Sequence, residues 1–283
     1  MAITPLLLLT TTLALTTALW LLHATLHALT SPLRLLPGPL LSHLTNLPLK
    51  HAVTSGRRIF HIDALHARHG PIVRLSPTEV AVGADVAAFK AIHGVSSRFA
   101  KAAWYERLTN FPRPSVFTLR DRRAHAARRR LFARGFGKTY LRETWEGADV
   151  RTESTSLIFA GSGTTANTLT FLNYAVLSRP ALQEALEAEV ATLADGFTDA
   201  DLEQLPLLNG IINETLRLYC AVPGSLPRVV PPGGVTLGGY FIPEGTTVST
   251  QAYTLHRDEG LWENAEEFDP YRWLPGREIS AGD

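Results

Sequence analysis

"FAGSGTTANT", Phe159–Thr168, sets two glycines and three threonines inside an otherwise apolar run, and two readings of it compete. Gly161, Gly163 and Ala166 satisfy G-x-G-x-x-A, the relaxed dinucleotide fingerprint, and the preceding "TSLIF" can be drawn as a strand. That fingerprint requires a second strand ending in an acidic residue about 20 positions on. Here Glu184 and Glu187 fall inside an amphipathic helical pattern, and no lysine follows to make a P-loop. Read as a helix, the segment pays about 1 kcal/mol for each glycine relative to Ala, and its threonine hydroxyls can bond the carbonyl one turn back. Such a helix is locally weak. Helices bordering a ligand are often of this kind, although close packing against glycine needs no ligand.

A second constellation lies downstream. In "NETLRLY", Asn213–Tyr219, Glu214 and Arg217 are three apart, so they share one helical face and can pair. "FDPYRWL", Phe268–Leu274, offers Arg272 as a third member. A lone E-x-x-R is common on helix surfaces; in this order after the opening stretch it is specific.

The N-terminus fixes the other end of the argument. From Leu6 to Leu29 there is no formal charge and there are eleven leucines, and as a helix this run reaches about 36 Å, enough to cross a bilayer. It reads as a transmembrane anchor at 1–30. A cleaved signal peptide would carry basic residues before the apolar run and a small-residue cleavage site after it. Arg34, Lys50, Arg57 and Arg58 all follow the span, which places the remainder in the cytosol. Pro37, Gly38 and Pro39 cannot continue a helix and give a stiff hinge over 31–50.

Across the globular part, Ile59 to His69 is helical and stops at Gly70-Pro71, "PIVRLSPTEVAVG" reads as a hairpin, and Asp85 to His93 as a short helix. Seven arginines between Arg120 and Arg134 sit on a helix ending near Gly135 and Gly137. With no aromatic interleaving they give no argument for nucleic acid; a solvated face, an anionic group or an acidic partner remain. Leu182, Leu186, Val190 and Leu193 mark an amphipathic helix, Thr198 and Asp201 a capping box, and Leu207 to Tyr219 the next helix. Pro223 onward, including "GGVTLGGYFIPEGTTVST", suggests a second small sheet. Lys plus Arg total 27 against 26 for Asp plus Glu, and the one cysteine, Cys220, excludes an internal disulfide or a multi-cysteine zinc site.

Taken together, the anchor, the Pro-rich turn, the arginine helix, "AGSGTT", "ETLR", "IPEGTTV" and "FDPYRW" resemble the haem-thiolate monooxygenases of the cytochrome P-450 superfamily, in their microsomal fungal form. The resemblance implies a mainly α fold with a small β region behind one membrane helix, in two parts, 51–147 and 148–283. It also implies haem iron as cofactor, an NADPH-dependent reductase as partner, a lipophilic small molecule as substrate, and residence at the endoplasmic reticulum membrane in secondary metabolism. By the same resemblance Thr164 stands where the family's threonine delivers protons. His125 and Arg129 match the haem-propionate pair, and Glu214, Arg217 and Arg272 match the structural network behind the haem.

Three departures qualify it. Gly163 replaces the acidic residue before Thr164, and only 35 positions separate Arg129 from Thr164, with a junction near "ETWEGADVRTEST". No F-x-x-G-x-R-x-C-x-G loop, the family's source of the iron-binding thiolate, occurs in the chain, and Cys220, at a helix end without Gly and Arg neighbours, is a poor substitute. The chain therefore reads as shortened and internally deleted, and the expectation is that as written it does not insert oxygen. A non-catalytic membrane-tethered remnant and an NAD(P)-dependent oxidoreductase stay open as alternatives.

Overall fold

A computed structural model of the chain describes residues 3–108, 113–133 and 147–276. They divide into two units, Met1–Phe99 with Arg228–Thr250, and Ala100–Pro227 with Gln251–Asp283.

The first unit begins with α1 (Ile3–Thr30), whose segment Leu7–Thr30 is long and apolar enough to cross a membrane. A 3-10 turn at Pro32–Leu35 leads to α2 (Leu40–Leu44), α3 (Leu47–Thr54) and α4 (Arg58–His69). The expected hairpin follows as β1 (Ile72–Ser76) and β2 (Glu79–Val82), then α5 (Val86–His93), capped by Asp85, whose carboxylate accepts from Ala88 N at 2.8 Å. Alternation in the hairpin serves two cores. Ile72, Val80 and Val82 face a cluster with Leu33, Leu36, Ala88 and Ile92, while Val73, Leu75 and Ala81 face Leu49, Ile62 and Leu65.

Arg74 occupies one of these core positions and is fully buried. Among the described residues no carboxylate answers it. Its donors go to Ser76 O, Leu33 O, His43 Nδ1, Ser31 Oγ and Pro77 O at 3.1–3.4 Å, so all its N–H groups have neutral acceptors. The guanidinium thus ties the segment after α1 to the sheet. Arg74 N also donates to Pro37 O at 2.8 Å, and at Gly38 a Cβ would come within 2.7 Å of Arg74 O.

Late in the chain come β3 (Arg228–Val229), β4 (Val235–Leu237), β5 (Tyr240–Ile242) and β6 (Thr247–Thr250). Only β4 and β5 form a separate two-stranded sheet. β6, expected in that second sheet, instead pairs in parallel with β2, Glu79 opposite Thr247, and antiparallel with β3. Pairing between segments so far apart in sequence leaves no local periodicity to read.

The second unit is mostly helical. It holds a 3-10 turn at Ala103–Arg107, then α6 (Arg122–Ala133), α7 (Gly147–Leu177), α8 (Pro180–Val190), α9 (Asp199–Leu202), α10 (Pro206–Leu218), α11 (Ala252–Leu255) and a 3-10 turn at Pro270–Trp273. The capping box at Thr198 and Asp201 forms. Val176, Leu182, Leu207 and Ile211 make its core, with Leu172, Leu186 and Phe268 against them, while Val190 is exposed. Glu189 on α8 caps α10 from outside, accepting from Leu207 N at 2.7 Å and Leu208 N at 2.8 Å, where helix amides lack internal partners. The expected end of the arginine helix at Gly135 and Gly137, and the start of the junction before Gly147, lie outside the described residues.

Candidate functional site

α10 is amphipathic, and its inner face carries Gly210, Ile211, Glu214 and Arg217, all buried. Gly210 is required by a close approach: a Cβ there would stand 2.5 Å from Pro270 O. That approach brings the 3-10 turn Pro270–Trp273 under the helix and delivers its side chains to Glu214.

Glu214 is the centre of the arrangement. Its Oε1 accepts from Arg217 Nη2 at 2.8 Å, Asp269 N at 2.9 Å and Arg272 Nε at 3.2 Å, and its Oε2 from Arg217 Nε at 2.9 Å and Trp273 Nε1 at 3.0 Å. Arg217 uses its remaining donors on Ala265 O at 2.6 Å, Glu267 O at 3.0 Å and His256 O, with Trp262 stacked 5.2 Å from its guanidinium. Burial alone pushes the Glu214 carboxyl up; the Arg217 fork, the Asp269 amide and the Trp273 indole outweigh it and hold the group ionised, below its ordinary value. The three residues read from spacing are therefore together. Trp273 and the Asp269 amide were not foreseen, although Trp273 adjoins Arg272 in "FDPYRW".

The opening stretch lies within α7, helical from Gly147 to Leu177. The G-x-G-x-x-A residues are therefore in mid-helix, away from any strand-to-helix turn, and the phosphate-loop reading has no loop to use. The hydroxyls turn back on the helix: Thr164 Oγ1 donates to Ala160 O at 2.5 Å, Ser162 Oγ to Ile158 O at 2.7 Å, and Thr168 Oγ1 to Thr164 O at 3.0 Å. Thr164, Thr168, Leu172 and Ala175 follow helical spacing along one face. That face is packed at Leu172 and Ala175 and only half-buried at Thr164 and Thr168. A Cβ at Gly161 or Gly163 would meet nothing within 4 Å.

On α6, Arg128 rather than Arg129 faces inward. Arg128 Nη1 donates to Glu153 Oε1 at 3.1 Å, and the same oxygen accepts from Val116 N at 2.7 Å, joining α6, the 115–118 turn and the start of α7 around a buried carboxylate. His125 is half-buried and Arg129 exposed. Cys220 is half-buried, just past the end of α10. The neighbouring Tyr219 ring stacks on Phe171 at 4.8 Å and on Phe268 at 6.2 Å. Among the described residues no group of three or more His, Cys, Asp or Glu side chains is placed to hold a metal ion.

Comparison with known proteins supplies the family. A family model described as Cytochrome P450 matches residues 138–282. The cytochrome P450 monooxygenase stcB of Emericella nidulans is 32% identical, with 88% of this chain and 75% of that protein covered. The cytochrome P450 monooxygenase cypX of Dothistroma septosporum is 31% identical, with 87% and 76% covered. Both matches run over 388 positions, more than the 283 residues of this chain, so the relatives carry interior residues without a counterpart here. Over a shorter stretch, 48% of this chain, the cytochrome P450 monooxygenase azaI of Aspergillus niger is 47% identical. A retinoic acid-bound cyanobacterial CYP120A1 structure shares the fold at a TM-score of 0.60 and 15% identity, covering 76% of this chain and 79% of its own. A family model over more than half of the residues, and relatives above 30% identity aligned along most of both chains, establish that this chain belongs to the cytochrome P450 family.

Proposed function

We propose that the chain is a membrane-tethered cytochrome P450 scaffold, derived from a fungal monooxygenase of lipophilic secondary metabolites, that in its 283-residue form does not insert oxygen. The observation that carries this is a division within the second unit. The Glu214 network is complete and buried, while along α7 Thr164, Thr168 and Leu172 are each only half-buried and Gly161 and Gly163 are exposed.

Haem is the group the family implies, and the residues present do not fit it. An iron-binding thiolate must project from an exposed, electropositive setting. Cys220, the sole cysteine, follows a helix end beside the Phe171–Tyr219–Phe268 ring stack, and Tyr219 contacts α7 about 10 Å along the helix from Thr164. For a complete fold the reading assigns Thr164 to proton delivery, His125 and Arg129 to the haem propionates, and Glu214, Arg217 and Arg272 to the network behind them. In this chain no step is routed through them.

The test is expression of the full chain with a haem precursor and a reduced, carbon monoxide-bound spectrum. No thiolate-type Soret band is expected. A band that disappears in Cys220→Ser would overturn the proposal and name the ligand.

A second reading, an interaction protein tethered to the endoplasmic reticulum, is favoured by the exposed Arg129 and Arg130 on α6, which suit an acidic partner such as a reductase. Arg129→Glu with Arg130→Glu should then abolish salt-sensitive binding to an NADPH-dependent reductase; unchanged binding sinks this reading.

A further inference from the structure

Two features of the second unit are left unused by the family reading, and both lie along α7. The first is an apolar strip. Phe159, Gly163, Ala166, Thr170, Asn173 and Leu177 recur at intervals of four and three, the spacing with which one helix packs along another, and all six are exposed. They lie on the side of α7 away from Leu172 and Val176, which pack against α8 and α10. Leu169 and Tyr174 flank the strip. Phe159, Leu177, Tyr174 and Leu169 are 77%, 65%, 60% and 52% exposed, so the apolar surface does not depend on the small residues between them.

The second feature is charge. Before α7, Arg120–Arg134 holds seven arginines against one acid, Asp121, and Arg128 ties this segment to the start of α7 through Glu153. After α7, residues 180–203 hold seven Asp and Glu and no Lys or Arg, and α8 packs on the last turns of α7. Arg123, Arg129 and Arg130 are exposed in the first segment, and Glu184, Glu187 and Asp199 in the second. A 31-residue helix therefore has a basic segment at one end and an acidic segment at the other.

Such a surface is complementary to itself when turned end for end. Antiparallel pairing about a two-fold axis near Thr168 sets Phe159 against Leu177, Gly163 against Asn173 and Ala166 against Thr170 of a second copy, with Leu169 close to its own counterpart. The small middle lets the helix axes approach to about 8 Å. The same axis brings each basic end to the acidic end of the other copy, whereas parallel pairing would stack seven arginines on seven. With aromatic side chains offering about 150–250 Å² each, the strip and its flanks supply roughly 500 Å² per chain. The resulting total of about 1,000 Å² is at the lower limit for a specific interface.

The geometry points to a homodimer of this chain, formed by antiparallel pairing of α7 and oriented by its two charged ends. The contact is isologous, so it closes at two copies and leaves no strip free for a third. It needs neither haem nor a reductase, so its failure leaves the reading given under Proposed function standing.

The full chain in mild detergent provides the test, with single cysteines in a Cys220→Ser background and a crosslinker about 10 Å long. Thr155 and Asn167 are both exposed on α7. In the antiparallel pair two copies of position 167 lie beside the axis, while two copies of position 155 are about 40 Å apart. We expect Asn167→Cys to crosslink into a dimer and Thr155→Cys to stay monomeric. Crosslinking of both overturns the inference, because parallel pairing or random collision gives that pattern. Crosslinking of neither overturns it as well. Sedimentation equilibrium of the otherwise unmodified chain should give a dissociation constant near the micromolar range. Ala166→Arg puts like charges together beside the axis and should raise that constant at least tenfold, with helix content unchanged by circular dichroism. Association that Ala166→Arg leaves intact belongs to another surface and overturns the inference. Arg129→Glu with Arg130→Glu should weaken the dimer several-fold, and adding Glu184→Arg with Glu187→Arg to the same chain should restore it. Weakening without restoration removes the charge pairing and with it the orientation proposed.

Discussion

Glu214 has five hydrogen-bond donors aimed at two oxygens, from two pieces of chain: Arg217 on its own helix gives two, and the segment Asp269–Trp273 gives three, the Asp269 amide, Arg272 and Trp273. Breaking a buried pair costs more than the pair is worth, because the other charge stays behind. Glu214→Gln leaves Arg217 buried without a counter-charge and should lower stability by about 3–5 kcal/mol, read as an earlier urea midpoint of the second unit. Arg217→Lys keeps the charge but loses the planar fork and the stacking on Trp262, and should fall nearly as far. Trp273→Phe removes one donor and keeps the ring, so the loss should be about 1–1.5 kcal/mol. An effect of Glu214→Gln no larger than that of Trp273→Phe would mean that the network is not cooperative. Of this group, Glu214, Arg217 and Arg272 were legible in the sequence because i, i+3 spacing on a helix is a local fact. The Asp269 amide and Trp273 were not, since their approach depends on Gly210 letting a distant turn close to 2.5 Å of a missing Cβ.

At the scale of the element, α7 shows what a motif can and cannot say. Its helical state followed from the absence of a second strand and of a P-loop lysine, and the structure has one helix through all ten residues of the opening stretch. Whether the glycines serve packing or a ligand was not legible, and the structure answers for this chain: nothing stands within 4 Å of a Cβ at either position. Gly161→Ala and Gly163→Ala should therefore each stabilise by about 0.5–1 kcal/mol through helix propensity alone, seen as a higher thermal midpoint by circular dichroism. Destabilisation by either would reveal a close contact that the present arrangement does not contain. α6 makes the complementary point. Seven arginines announce a charged helix, but which one turns inward depends on Glu153, 25 residues on, and it is Arg128. The front hairpin was readable from its alternation, whereas the addition of β6 in parallel register was not, because strand partners remote in sequence leave no mark on either segment.

Over the whole molecule four half-buried histidines set the response to acid. Burial, reinforced by Arg74, lowers the pKa of His43; burial with Arg58 lowers that of His61; burial with Arg228 takes His93 down to about 4. In the second unit burial lowers His256, with Arg217 and Arg257 adding to it against a hydrogen bond to the Arg217 carbonyl. These groups titrate near 6.5 when unfolded, so between about pH 6.5 and the lower folded values the unfolded chain binds more protons, and stability falls as pH falls. Glu214 has the same sign in a lower window. Its folded pKa is below the unfolded value, so its stabilisation is present above about pH 4.3 and is lost as pH drops through the folded value. The expected profile is therefore a decline that begins near pH 6.5, before carboxylates titrate, and steepens below about pH 4.3. Urea melts of the full chain in detergent across this range provide the measurement. His93 is the informative substitution, because its Nε2 is buried without a hydrogen-bond partner and its ring packs 5.3 Å from Phe89. His93→Phe keeps an aromatic ring there and removes the titration, so the slope between about pH 6.5 and pH 4 should flatten while stability at neutral pH stays close to that of the parent. An unchanged slope would show that the folded chain protonates His93 as readily as the unfolded chain does, and that neither burial nor Arg228 opposes its proton.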